Sequence, residues 1–417
     1  MRRRWKWISA LILAAVLGCG WWLRLRPSAS GPDPIAAAAP APAPFPSLWP
    51  ASSPNPAGKP ASAGDHSGEI EVCGVGRVKL DFDDAAGVSK YFNSLTKNSR
   101  MRWLATLRNS DDYRARATGL YLEGILDRDS PQKDPEAARD ELVQLAVGTR
   151  DPAAFALAYT KCIKGVEDFV SQGACPQLSI DDWARADADN AVPWLQLAAK
   201  ARRQNNAAAE AAAFAQAAQA HQYESYNWSL FSFAQPEMPD DMTAANRWFL
   251  TAEVIGVEAA MPMPYLSLFQ YCSRDSLTDP TVHQQCNALA ELMVSKATTL
   301  SEFSMGKSLG TRVGWQAERL DKLTQELKAS IQALNQMTPS DPEQQWSCNS
   351  VASGNAFMSQ LNELGERGLA RQAIERSGEA VAELSRRYDE QTATMMQKAQ
   401  ERVQSQAGGT TAIARKP

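Results

Sequence analysis

Four times within residues 69–417 an aspartate is followed directly by a proline: Asp134-Pro135, Asp151-Pro152, Asp279-Pro280 and Asp341-Pro342. Proline has no backbone N–H, and the first position of a helix is where that donor would lack a partner anyway. Asp-Pro therefore reads as a helix start with its cap attached. Ser340-Asp-Pro-Glu343 adds a capping box. Alanine is abundant between these starts and strong strand signals are scarce, so the expected fold class is all-α: an irregular α-solenoid of helix hairpins with long C-terminal helices. The exception is a short extended arm at its N-terminal edge, where Ile70, Val72, Val78 and Leu80 alternate and Gly74-Val75-Gly76 interrupts them. That Gly-x-Gly lacks a third glycine and a following helix, which excludes a dinucleotide loop.

Helix pairs are expected at about 84–126, 135–164, 190–223 and 243–298. In the third, Pro193 through Gln204 reads as one helix, Asn205-Asn206 as the turn and Ala207 through Ala220 as the second helix. With Trp194, Leu197, Ala198, Phe214 and Ala217 at its packing positions, this stretch resembles a tetratricopeptide repeat. The resemblance implies a stacked helical array with a concave binding surface. It departs from the family at Ala201, where an aromatic is expected, and at Glu210, where a small residue is expected. Further on, Leu320, Leu323, Leu327, Ile331 and Leu334 form a stripe at spacings of three and four, one face of a long helix. A further helical stretch runs from about 355 to 406. Val381, Leu384, Tyr388 and Met395 lie there in rough heptad register, for packing onto the array or for self-association through the C-terminal helices.

The first 68 residues have a different character. An uncharged run, Trp7–Leu23, is flanked by four basic residues before it and by Arg24 and Arg26 after it. Paired tryptophans mark both ends, which fits a single membrane-spanning helix with its N-terminus in the cytoplasm. Two other exported topologies stand beside this leading one. Val16-Leu17-Gly18-Cys19 resembles a bacterial lipobox, with Cys19 as the lipidated residue, and a cleaved secretory signal has small-residue cut sites available near 28–30 or 36–39. From 27 to 68 the chain is Pro, Ala, Ser and Gly with little else and holds 11 prolines, the composition of an extended disordered linker. The implied organisation is a membrane anchor at 1–26, a linker at 27–68, a helical-repeat domain at 69–345, C-terminal helices at 346–406 and a tail at 407–417.

Cysteine usage agrees with export to the periplasm. Apart from Cys19 there are six, an even number, and no Cys-x-x-Cys. Proximity suggests Cys162 with Cys175 and Cys272 with Cys286, which leaves Cys73 for Cys348. Cys272, His283 and Cys286 could supply three zinc ligands but lack a fourth, so no metal or other cofactor is expected.

Charge and motifs narrow the chemistry. Residues 69–417 carry 36 bases and 45 acids, an acidic body that argues against nucleic acid as a partner. Gly306-Lys307-Ser308 ends like a phosphate loop, but Ser301 stands where its first glycine belongs. Ser304-Met-Gly-Lys307 and Ser94-Leu-Thr-Lys97 both match Ser-x-x-Lys, without the companion Lys-Thr-Gly. His221 is expected to line a helix end. Tyr223-Glu224-Ser225 is similar to the Glu-Ser of lytic transglycosylases, where one glutamic acid protonates a glycosidic oxygen. The downstream Gly-Leu-Met-Gln and Ala-Tyr-Asn of that family are missing, and Glu224 is expected to be a solvated acid at a helix end. Trp228, Phe231 and Phe233 are candidate contact aromatics, with burial between repeats as their main expected use. The expected function is a non-catalytic scaffold, anchored in the inner membrane and facing the periplasm. It would bind an envelope protein, peptide or glycan, with glycan cleavage through Glu224 as the alternative.

Overall fold

The computed structural model describes residues 67–81, 84–126, 134–164, 168–169, 172–226, 229–261, 265–337 and 346–411. The expected anchor, the linker as far as 66, Cys19, Trp228 and the Asp341-Pro342 start lie outside these residues, whereas the last two positions expected as linker, Ser67 and Gly68, belong to the first strand. Among the described residues the chain is mostly helical, as the alanine content and helix starts imply. No described helix is long and apolar enough to cross a membrane. The residues divide into two compact units. The smaller holds 67–99, 243–248 and 346–354; the larger holds 100–242, 249–337 and 355–411.

In the smaller unit the expected arm is a hairpin. Strands β1 (Ser67–Val72) and β2 (Gly76–Asp81) pair antiparallel, with Ile70 opposite Val78 and Val72 opposite Gly76. Gly74 and Gly76 take φ of 76° and 104° in the turn, a conformation that costs a side chain. Ile70, Val72 and Leu80 face inward while Glu69, Glu71, Arg77 and Lys79 stay exposed, the alternation of a half-buried hairpin. Helix α1 (Ala85–Arg108) follows and begins in this unit. Its Phe92 ring lies 4.7 Å from Trp346. The Cys73 N–H donates to the Trp346 carbonyl at 2.9 Å, and Cys73 is bonded to Cys348 across 275 residues of chain.

The larger unit is built of packed helices. Helices α2 (Tyr113–Leu122), α3 (Pro135–Thr149) and α4 (Pro152–Lys161) pack together, and Asp112, Asp134 and Asp151 cap their starts. Strands β3 (Ile163–Lys164) and β4 (Asp168–Phe169) form a small ladder near the Cys162–Cys175 bridge. After the short α5 (Ile180–Ala186) come α6 (Ala191–Arg203) and α7 (Ala207–Gln219), the helices expected on either side of Asn205-Asn206. Asn205 turns the chain with φ of 55° and the Asn206 side chain caps α7. Helix α8 (Leu230–Ala234) buries Phe231 in the core, while Phe233 lies 5.5 Å from the Arg114 guanidinium.

The stretch expected as a pair at 243–298 is three helices: α9 (Ala244–Ala259), α10 (Tyr265–Tyr271) and α11 (Pro280–Lys296). Cys272–Cys286 joins the end of α10 to α11. Tyr271 lies flat on the fully buried Phe214 of α7, ring centroids 3.6 Å apart. Helix α12 (Leu300–Arg312) runs close against α11: a Cβ at Gly306 would sit 2.7 Å from the Met293 Cβ and 2.9 Å from the Val294 nitrogen. The Gly-Lys-Ser sequence is thus a helix contact, and the Lys307 Nζ donates to Thr324 Oγ1 at 3.1 Å.

Helix α13 (Ala317–Met337) lays Leu327, Ile331 and Leu334 against Phe303, Val294 and Leu369. The stretch expected as helical from 355 to 406 is two helices, α14 (Cys348–Ser377) and α15 (Val381–Thr411), parted at Gly378 with φ of 65°. Leu384 and Tyr388 of the heptad positions join the core, whereas Val381 and Met395 are exposed. Helix α15 continues to Thr411, which corrects the tail expected from 407.

Replacing Phe214 by alanine should cost about 3–5 kcal/mol of stability, read as a lower urea midpoint. The C73S/C348S pair should cost about 2–5 kcal/mol. An unchanged midpoint in either variant would show that the contact contributes nothing.

Candidate functional site

Five glutamates are buried in the larger unit, and two of them, Glu258 and Glu366, line one cleft together with Glu224 and Glu363. The cleft encloses about 210 Å³. Glu224, Ser229, Ser232, Glu258, Thr298, Asn362, Glu363 and Glu366 line its polar side; Phe231, Ile255, Met358, Leu361 and Leu364 supply apolar surface.

Glu224 is set by Asn190, which is fully buried and caps α6. The Asn190 Oδ1 accepts from the N–H groups of Val192 at 3.1 Å and Glu224 at 3.0 Å. Its Nδ2 donates to Asp187 Oδ2 at 2.7 Å and to the Glu224 carbonyl at 2.8 Å. Both donors and both acceptor positions of the amide are used, so one side chain fastens residue 224 from both sides. The Ala191 N–H donates to the Gln222 carbonyl at 2.9 Å and continues the same seam. The backbone then turns at Tyr226, φ 56°, whose N–H donates to Glu224 Oε1 at 2.9 Å and whose hydroxyl donates to Asp187 Oδ2 at 3.2 Å.

Three further glutamates close the interior side of the cluster. Glu258, near the end of α9, accepts the Phe231 N–H at 2.9 Å. Glu302 stands in the first turn of α12, accepts the Ser225 hydroxyl at 3.0 Å, and its own N–H donates to Thr299 Oγ1 at 3.1 Å. Glu366 accepts the Leu300 N–H at 2.8 Å and so caps α12 from 66 residues away. Only 4%, 1% and 8% of these three residues is exposed, so each carboxyl meets backbone or hydroxyl donors in place of water.

A break in α14 places Glu366. Gly365 has φ 68° and ψ 169°, outside any helical geometry, and a Cβ there would lie 3.0 Å from the Thr298 carbonyl oxygen. No L side chain adopts that backbone cheaply. Beyond the break the Arg367 N–H donates to the Thr298 carbonyl at 3.0 Å. The Arg367 guanidinium pairs with Glu326 at 2.9 Å, donates to the Val294 carbonyl and lies 4.1 Å from the Phe303 ring centre.

Burial dominates the proton affinities here. It pushes Glu258 up to about 8, with the Glu366 charge adding to it, and Glu302 up to about 7, with the Glu224 charge adding. Burial likewise raises Glu366, and raises Glu224 with help from the Asp187 charge. The arrangement can hold carboxyls protonated at neutral pH, so it can donate as well as accept hydrogen bonds.

These positions correct the expectation for Glu224: it is half-buried on a cleft wall beyond the end of α7, not a solvated helix-end acid. His221 lies on the exposed side of the same turn, its Nδ1 2.7 Å from Asp189 Oδ1. Cys272 and Cys286 form a bridge, and the His283 Nε2 lies 3.0 Å from the Val313 carbonyl oxygen. Among the described residues no group of three His, Cys, Asp or Glu side chains is placed to hold a metal. Glu258, Glu302 and Glu366 carry no motif. Their legible traces are an acid inside the apolar run Val254-Ile-Gly-Val-Glu258, a Thr299-x-x-Glu302 capping box and a glycine before Glu366. The chain matches no protein-family model, no curated protein and no solved structure.

Asn190→Leu should cost about 2–3 kcal/mol, because it strands the Glu224 N–H and carbonyl. Gly365→Ala should cost a similar amount, about 2–3 kcal/mol, through backbone strain and the Thr298 contact. Urea titration of each variant checks both values.

Proposed function

We propose that the chain is a membrane-tethered scaffold of stacked helix pairs, facing the periplasm, that binds an envelope protein, peptide or glycan in the cleft between Glu224 and Glu366. The single observation that carries this reading is the cleft itself: apolar side chains and hydrogen-bonding groups converge on one concavity, the mixed lining that ligand sites use. The solenoid reading, with its tetratricopeptide-like pair at 190–223, draws support from the packing of α6 on α7. Export draws support from three disulfides in the body, since such bridges persist in oxidising compartments. The tether remains the reading of Trp7–Leu23.

A photocrosslinking residue at Leu364 or Asn362 should trap one envelope component in whole cells, and the same residue at Val147 should not. Equal products at all three positions, or none at 362 and 364, would overturn the binding reading.

A second reading has a specific observation in its favour. Glu224 lies on the cleft wall and burial raises its carboxyl, the condition a general acid needs for glycosidic cleavage. If it acts so, the full-length chain releases muropeptides from purified peptidoglycan and Glu224→Gln abolishes release. No release from the unaltered chain sinks this alternative.

A further inference from the structure

We propose that the Cys73–Cys348 bridge is a thiol–disulfide exchange site: a dithiol partner attacks the Cys348 sulfur in the folded chain and opens this bond alone. The bridge lies within the smaller unit, and its exchange is independent of what the cleft binds.

Access separates the three bridges. Cys162, Cys175, Cys272 and Cys286 are fully buried, so a thiolate reaches either of their bonds only after the surrounding helices open. In the third bridge Cys73 is buried but Cys348 is exposed. Exchange is a displacement at sulfur, with the attacking thiolate, the attacked sulfur and the leaving sulfur in line. Approach from solvent therefore leads to Cys348, with Cys73 behind it as the leaving sulfur.

Position adds a chemical bias. Cys348 is the first residue of α14, and Ser347 caps that helix. The Ser347 Oγ accepts the Ser350 N–H at 3.3 Å, and its carbonyl accepts the Val351 N–H at 2.9 Å. A sulfur at the first helical position lies beside N–H groups that no carbonyl of the helix meets, and these favour a thiolate there. Cys348 is thus a good leaving sulfur once it is bonded to the partner. Cys73 has no such support: it follows β1, and its own N–H is spent on the Trp346 carbonyl.

The exchange takes two steps. The first thiolate of the dithiol bonds to the Cys348 sulfur, the Cys73–Cys348 bond breaks, and Cys73 leaves with the electron pair and takes a proton from water. The second thiol, having given its proton to water, attacks the partner's sulfur in the mixed disulfide and expels the Cys348 thiolate. The bridge gains two electrons, and the dithiol that supplies them is oxidised to its own disulfide.

Contacts that do not involve sulfur outlast the bond. The Cys73 N–H keeps the Trp346 carbonyl at 2.9 Å, and Phe92 keeps its ring 4.7 Å from Trp346. The hairpin turn rests on Thr243, whose Cβ would lie 3.3 Å from a Cβ at Gly74. The smaller unit loosens on reduction and keeps its two cysteines close enough to pair again.

Differential alkylation of the full-length chain tests this. After free thiols are blocked, the folded protein is treated with dithiothreitol at about pH 8, near the ordinary thiol value. New thiols take one alkylating agent, and the remainder take a second after unfolding and full reduction. Peptide mass spectrometry should find the first label on Cys73 and Cys348. It should arrive there about a hundredfold faster than on Cys162, Cys175, Cys272 or Cys286, which must wait for local opening. Circular dichroism recorded alongside should keep its helical signal, so that the label reports on folded chain. A thioredoxin whose resolving cysteine is replaced by serine should be trapped on Cys348. Comparable rates at all six cysteines, earlier labelling in either short loop, labelling only with loss of the helical signal, or trapping on Cys73 would each overturn the proposal.

Discussion

The first turn of a helix exposes backbone N–H groups that nothing inside the helix can satisfy. In the larger unit two of these are met by side chains from remote stretches, Glu366 on Leu300 and Glu258 on Phe231, while Asn190 caps its own helix at Val192 and also accepts the Glu224 N–H from 34 residues away. Each is buried, so losing the acceptor would leave a donor with no water to replace it. The same few contacts bring α6, α8, α9, α12 and α14 together and create the cleft. The polar wall of the candidate site and the brace of the fold are one set of atoms.

That coincidence explains why the glutamates have unusual proton affinities. Their positions answer the needs of helix ends, and the desolvation that follows outweighs the hydrogen bonds gained. Chemistry at the cleft, whether recognition or proton donation, would draw on a property that packing has already imposed.

Local rules carried much of the architecture in readable form. Asp134-Pro135, Asp151-Pro152 and Asp279-Pro280 start helices with their own side chains as caps, because an N-cap is satisfied within three residues. The leucine stripe from 320 to 334 and the turn at Asn205-Asn206 are also short-range signals. What could not be read depends on partners far along the chain. Glu224 looked like a surface acid because nothing near it in sequence announces Asn190 as a clamp. The break at Gly365 hides in a helical stretch, since a lone glycine gives no sign that Thr298 will press against it. The third helix in 243–298, α10, is joined to α11 by a bridge and stacks Tyr271 on Phe214, contacts that leave no periodic trace.

The three bridges also differ in when they can close. Cys162 and Cys272 need wait for only 13 and 14 further residues before their partners are made. Cys73 must stay a free thiol while 275 more residues emerge, passing four other cysteines that could capture it. Early closure of the two short loops removes those competitors from its path. With those four thiols paired, Cys348 is the remaining partner in the body for Cys73.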